Sequence, residues 1–179
     1  IDACVKELKL KSKDFPKKNV IASLISNAAS RNVPLEEVLE DSLEILKVDT
    51  DDILRVAKAY AAQKIESQAM DFDDLLLNGL RLIAEQDHIR EFYQERFAHI
   101  LVDEYQDTNG PQAQLVDLLA AKRGNVMVVG DDFQCIYTWR GADFRNIMEF
   151  PKRYPECTII KLEQNYRSSP EILDVANIC

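Results

Sequence analysis

Apolar residues in the first half of the chain recur every three or four positions, the spacing that gives a helix one buried face. Pro16 opens a run in which Val20, Ile21, Leu24, Ile25 and Ala28 share a stripe. Pro34 opens another with Leu35, Val38, Leu39 and Leu46. Proline suits such starts because its missing N–H falls where a helix has no internal acceptor for it. A third run begins at Thr50 to Asp52, where short polar side chains can cap the first turn, and continues through Ile53, Val56, Ala57, Tyr60 and Ile65. A fourth, opened by Asp71, carries Leu75, Leu76, Leu80 and Ile83. No segment of this half has the alternation of a strand.

The pattern changes after Phe97. His99-Ile100-Leu101-Val102 is a short apolar run ending on acids, Asn125-Val126-Met127-Val128-Val129 ends on Gly130-Asp131-Asp132, and Thr158-Ile159-Ile160-Lys161-Leu162 leads into Glu163-Gln164-Asn165. Between the first two, Gly110-Pro111 starts a helix with Leu115, Val116, Leu118 and Leu119. Short apolar strands alternating with helices predict a parallel sheet, with strands buried on both faces and helices as crossovers. The expected fold class is therefore α/β: part of a parallel nucleotide-binding sheet, preceded by an all-helical subdomain. The division falls at residues 1–70 and 71–179.

Composition narrows this picture. The chain has 179 residues, 46% of them hydrophobic, enough for one core with a small appendage. It opens on Ile1 and stops at Cys179 inside a helical pattern, which reads as a piece of something longer. No stretch approaches the roughly 18 apolar residues of a membrane span, and no signal segment leads the chain, so a soluble, cytoplasmic protein with no membrane partner is expected. Cys4, Cys135, Cys157 and Cys179 form no C-x-x-C pair, and neither His88 nor His99 completes a ligand set, which argues against a disulfide framework or a zinc site. A net charge of −9 excludes a surface that grips nucleic acid everywhere. Lysines 6, 9, 11, 13, 17 and 18 make one basic run, which fits a solvated face or a frayed end.

Ligands of parallel α/β sheets collect at the carboxyl ends of the strands, where each apolar run here delivers polar residues. Asp103-Glu104 follows the first. Two adjacent acids there can divide labour, one holding Mg²⁺ and the other deprotonating an attacking water, although an apolar run ending on acids also describes a plain strand terminus.

Longer strings decide between these. Leu101-Val102-Asp103-Glu104-Tyr105-Gln106-Asp107-Thr108-Asn109 resembles motif II of the UvrD/Rep/PcrA-type superfamily 1 DNA helicases. Val129-Gly130-Asp131-Asp132-Phe133-Gln134-Cys135-Ile136-Tyr137-Thr138-Trp139-Arg140-Gly141-Ala142 resembles their motif III, and Leu162-Glu163-Gln164-Asn165-Tyr166-Arg167-Ser168-Ser169 their motif IV. The resemblance is close from about Phe97 onward and looser back to Met70-Asp71-Phe72-Asp73-Asp74-Leu75-Leu76.

The resemblance implies a RecA-like P-loop NTPase sheet, the C-terminal part of motor domain 1A, behind an incomplete 1B-like helical subdomain. It implies ATP and Mg²⁺ as cofactors, with Asp103 as metal carboxylate and Glu104 as catalytic base beside the metal. Gln134 would sense the γ-phosphate through an amide that both donates and accepts. Arg167 would reach the γ-phosphate with a planar, permanently charged fork, and Tyr166 would stack on adenine. Trp139, the only tryptophan, would stack on a DNA base with Tyr137 close to the strand, although a core anchor also suits a tryptophan. Arg140 could contact DNA phosphate, a motif II acid or neither. Phe72 would lie near the DNA path, but a helix opened by Asp71 explains that stretch without a ligand.

The implied partners are single-stranded DNA, single-strand/duplex junctions, ATP, and repair or replication proteins. The implied activity is 3′-to-5′ translocation with duplex unwinding. A recombination helicase-nuclease motor and a non-catalytic remnant are the alternatives. No G-x-x-x-x-G-K-[ST] phosphate loop occurs in these 179 residues, so the chain by itself is expected not to hydrolyse ATP.

Overall fold

A computed structural model describes residues 1–10, 15–46, 49–136 and 141–178. They fall into two compact units, 1–149 and 150–179.

Helices α1 (Asp2–Glu7), α2 (Lys18–Arg31), α3 (Leu35–Leu46) and α4 (Thr50–Glu66) bring Cys4, Ile21, Leu39, Ile53 and Val56 into one buried cluster. These are the stripe positions of the sequence, with Cys4 added from a segment too short to show a period. Asp49 caps α4 by accepting from the Asp51 amide at 3.0 Å. Asn32 ends α2 in the left-handed conformation, where asparagine is tolerated.

Helices α5 (Phe72–Glu85), α6 (Asp87–Arg96) and α7 (Gly110–Ala120) pack on one another, and α2 touches both α5 and α7. Half of the residues of helix α6 are charged, and it is held by polar contacts. Arg90 donates to the end carbonyls of α5, Ile83 O and Ala84 O, at 3.2 and 2.8 Å, and buried Gln94 donates to Leu118 O of α7 at 2.7 Å. Glu95 meets Lys122 and Arg123 beyond α7.

Strands β1 (Ile100–Val102) and β2 (Val126–Val128) pair in parallel, Ile100 with Val126 and Val102 with Val128, with α7 as the crossover. The third expected strand is not formed: residues 158–162 carry no strand, and Ile159, Ile160 and Leu162 are exposed. A parallel strand needs a neighbour for its amides and cover for its apolar side chains, and the described residues supply it with neither. The expectation that strands are buried on both faces is corrected for the same reason. Leu101 and Met127, partners in register, are 74% and 56% exposed on one face.

The second unit contains α9 (Phe150–Arg153), preceded in the chain by the short α8 (Arg145–Met148) of the first unit, and α10 (Pro170–Ile178). In it, Tyr154 stacks on Phe150 at 4.5 Å.

At the α4–α5 junction, Lys64 Nζ donates to Asp71 Oδ2 and bridges Asp74 Oδ2, at 2.7 and 2.6 Å, while the Tyr60 hydroxyl donates to Asp71 Oδ2 at 3.1 Å. Asp71 and Asp74 also exchange backbone amides in a capping box that starts α5. Burial pushes the Asp71 carboxyl up, but the bonds from Lys64 and the Asp74 amide outweigh it and hold the group below its ordinary 3.8. Burial likewise opposes the Lys64 charge, but its two carboxylate partners hold it above 10.5.

A depressed carboxyl stabilises the fold above its unfolded pKa, and that contribution disappears as pH falls through the folded value. A raised ammonium contributes below its unfolded pKa and loses that contribution as pH rises through the folded one. Asp71→Asn keeps a capping oxygen and removes the charge. It is expected to cost about 1–2 kcal/mol at neutral pH, a deficit that vanishes in thermal melts as the pH drops below 3.8. A deficit independent of pH would mean that the charge of Asp71 contributes nothing.

Candidate functional site

The end of β1 turns sharply. Glu104 sits in the left-handed region, φ 51° and ψ 42°, and begins a 3-10 turn over Tyr105–Asp107. This turn leaves Asp103 and Glu104 exposed while Tyr105 and Gln106 are completely buried. The ladder continues past both strands, since Val129 N–H donates to Val102 O at 2.8 Å and Tyr105 N–H to Val129 O at 2.9 Å. The residues following β1 and those following β2 therefore emerge side by side at one end of the sheet.

Gln106 joins them. Its Nε2 donates to Glu104 Oε2 at 2.7 Å, and its Oε1 accepts from the Asp131 amide at 3.0 Å. Cys135 Sγ donates to the Gln106 carbonyl at 3.4 Å. Asp131 Oδ1 accepts from the Phe133 amide and Oδ2 from Gln134 Nε2, at 3.1 and 2.8 Å, so the 3-10 turn Asp132–Gln134 is tied back to the strand end. Gln134 is exposed there and Phe133 projects into solvent.

Tyr137, Trp139 and Arg140 lie outside the described residues. On their far side the chain is anchored again, because the Asp143 amide and Asn146 Nδ2 both donate to Thr108 O, at 3.0 and 2.8 Å. Gly141 needs to be glycine twice over: its φ is +80°, and a Cβ would lie 2.1 Å from Ser30 Oγ. The Arg145 guanidinium holds the Asp143 carboxyl below the usual range.

Phe72 is the first residue of α5 and 90% exposed, so the core does not use it. In the second unit, Asn165 Oδ1 accepts from the Arg167 and Ser168 amides at 2.8 and 2.9 Å, a side-chain turn that fixes the backbone under two exposed side chains, Tyr166 at 92% and Arg167. Three expected site residues, Asp103, Glu104 and Gln134, thus share one sheet end. The bridge between them, Gln106, was not read from the sequence as a site residue. Its only sequence signal is a glutamine two residues after the strand-end acids, visible as a bridge only once the two loops are adjacent.

Two neighbouring carboxylates suit Mg²⁺, which keeps several waters and binds through one or two acids plus substrate phosphates. Among the described residues no group of three or more His, Cys, Asp or Glu side chains could hold a metal ion. No described helix is long and apolar enough to cross a membrane. Of the described cysteines, Cys4, Cys135 and Cys157 are free thiols.

The ATP-dependent DNA helicase PcrA of Staphylococcus aureus is 50% identical over 125 residues, covering 70% of this chain and 17% of that protein. The protein of the same name from Staphylococcus epidermidis matches to the same extent. The chain spans 17% of the length of these relatives. Residues 1–155, which include both loops at the sheet end, match the UvrD/REP helicase N-terminal domain, and the chain belongs to that family.

Proposed function

We propose that the protein carrying this chain is an ATP-dependent, 3′-to-5′ single-stranded DNA translocase that unwinds duplex DNA in repair or replication restart. The observation that supports this best is the shared sheet end, where Asp103, Glu104 and Gln134 are tied through Gln106 and Asp131. Residues 1–70 are read as part of a 1B-like subdomain and 71–179 as part of motor domain 1A. In this reading, Asp103, with Glu104 nearby, would hold Mg²⁺, and the metal would supply positive charge to offset that of the ATP phosphates. Glu104 takes the proton of the attacking water. Gln134 reads the γ-phosphate, Arg167 stabilises the charge that spreads over the transferred phosphoryl group, and Tyr166 stacks on adenine.

On the DNA side, Trp139 stacks on a base, with Tyr137, Arg140 and Phe72 along the strand. Stacking supports a stepping motor because it tolerates every base and is worth roughly 1–3 kcal/mol per base. The phosphate grip is not among these residues, so catalysis belongs to the whole protein and not to this segment.

The test is DNA-stimulated ATPase and unwinding by the full-length protein, alongside its Trp139→Ala variant. The variant is expected to lose about 5- to 150-fold in single-strand affinity, with nucleotide affinity nearly unchanged. Absence of DNA stimulation in the parent would remove the motor reading, and equal losses for DNA and nucleotide would remove the stacking role. Nuclease activity in the same polypeptide would favour the recombination helicase-nuclease instead.

A further inference from the structure

Gln106 has no place in the chemistry described above, yet it is the completely buried polar side chain at the centre of the site. A glutamine amide offers a donor and an acceptor at fixed separation, and here both ends are used. The donor end reaches the Glu104 carboxylate at 2.7 Å, and the acceptor end takes the Asp131 amide at 3.0 Å. Glu104 is otherwise exposed, on a backbone held in the left-handed conformation, where its side chain would sample several rotamers.

Space for the bridge is made by Gly130. A Cβ there would lie 2.4 Å from Gln106 Oε1 and 2.8 Å from Ile147 Cδ1. Both values are below any ordinary contact, so a larger residue would displace the amide. The bridge therefore depends on three residues from two loops: an acid, a buried amide and a missing side chain.

We propose that Gln106 is the positioning residue of the proposed base: it fixes the Glu104 carboxylate in one orientation and couples that orientation to the position of the loop that carries Gln134. Movement of the Asp131 backbone pulls on Gln106 Oε1, and Gln106 Nε2 passes the displacement to Glu104. The inference rests on the assignment of Glu104 as base.

The two ends of the bridge can be separated by substitution in the full-length protein. Gln106→Met keeps the volume and removes both hydrogen bonds. Gln106→Glu keeps an acceptor for the Asp131 amide but loses the donor to Glu104. Both are expected to lower kcat for DNA-stimulated ATP hydrolysis about 10–100-fold, the usual effect of losing an outer partner of a reacting group. KM for ATP and single-strand affinity should stay within about twofold of wild type, because neither is read by this bond.

If Gln106 only tethers the loops, Gln106→Glu restores kcat, and the proposal is overturned. Parallel losses in kcat, KM and DNA affinity would overturn it as well, since they mark general disruption of the site. Should either variant fail to fold, Gly130→Ala displaces the same amide from outside and is expected to show the same split between kcat and KM; wild-type kcat in a folded Gly130→Ala protein would count against the bridge. Glu104→Gln measured in parallel separates the two levels of argument. If that variant hydrolyses ATP normally, the base assignment fails; if it is inactive while the Gln106 and Gly130 variants are fully active, only the positioning role fails.

Discussion

Glu104→Gln in the full-length protein is expected to reduce DNA-stimulated ATP hydrolysis by about 10²–10⁴-fold, the contribution of a positioned general base, while ATP still binds. The two halves of this expectation have separate causes. Glutamine has the shape of glutamate and retains a carbonyl oxygen, so it can still accept the bond that Gln106 Nε2 now makes to Glu104 Oε2 at 2.7 Å. The Asp103 side chain already accepts from the backbone amide of residue 104, a contact the substitution leaves in place. The fold of the turn and the metal acid beside it should therefore survive, and what disappears is the proton acceptor. Single-turnover hydrolysis with and without DNA, paired with an equilibrium nucleotide titration, gives both quantities. Hydrolysis within about tenfold of wild type would rule out Glu104 as the base, and a matching loss of ATP affinity would recast it as a ground-state ligand.

Much of this arrangement is legible in the sequence, and the parts that are not share a physical reason. Helices α2, α3, α4, α5 and α7 follow the predicted stripes, and α5 begins on the expected cap Asp71, while α4 and α7 are capped by Asp49 and Asn109, each one residue before the start signal read from the sequence. Local signals suffice there, because a cap and an apolar stripe lie within one segment. Helices α1 and α6 escaped: the first has six residues, and the second is held by Arg90 and Gln94 reaching to neighbours and not by an apolar face. The third strand was over-read from Thr158–Leu162, since an apolar run states only a preference, and a strand exists only with a partner.

The site divides along the same line. Asp103 and Glu104 stood out as acids after an apolar run and Gln134 only through the motif that contains it, and the register of β1 with β2 places their loops side by side. Gln106 and Gly130 act through each other across two loops 24 positions apart in sequence, so neither has a local signature. For Tyr137, Trp139 and Arg140 the assignment still rests on the motif that contains them.

The second large effect is expected at Arg167. Arg167→Ala in the full-length protein should lower kcat by about 10³–10⁵-fold, the range for removing an arginine that stabilises a phosphoryl-transfer transition state, with a much smaller change in ATP affinity. Arg167→Lys should recover only part of the loss, because an ammonium supplies a point charge in place of a planar fork that can bond two phosphoryl oxygens at once. Local structure favours a clean result. The Arg167 contact recorded in its own turn is made by its backbone amide, which donates to Asn165 Oδ1 at 2.8 Å, and that bond is indifferent to the side chain. The guanidinium is exposed, so its removal opens no cavity and leaves no buried partner unpaired. Tyr166, its exposed neighbour, provides the contrast: a residue that stacks on adenine binds ground and transition states alike, so Tyr166→Ala should raise KM and leave kcat nearly unchanged. Opposite signatures from adjacent residues on one turn would be hard to obtain from general damage to the segment. If Arg167→Ala instead raised KM at constant kcat, the arginine would be a binding residue, and stabilisation of the transition state would have to come from elsewhere in the protein.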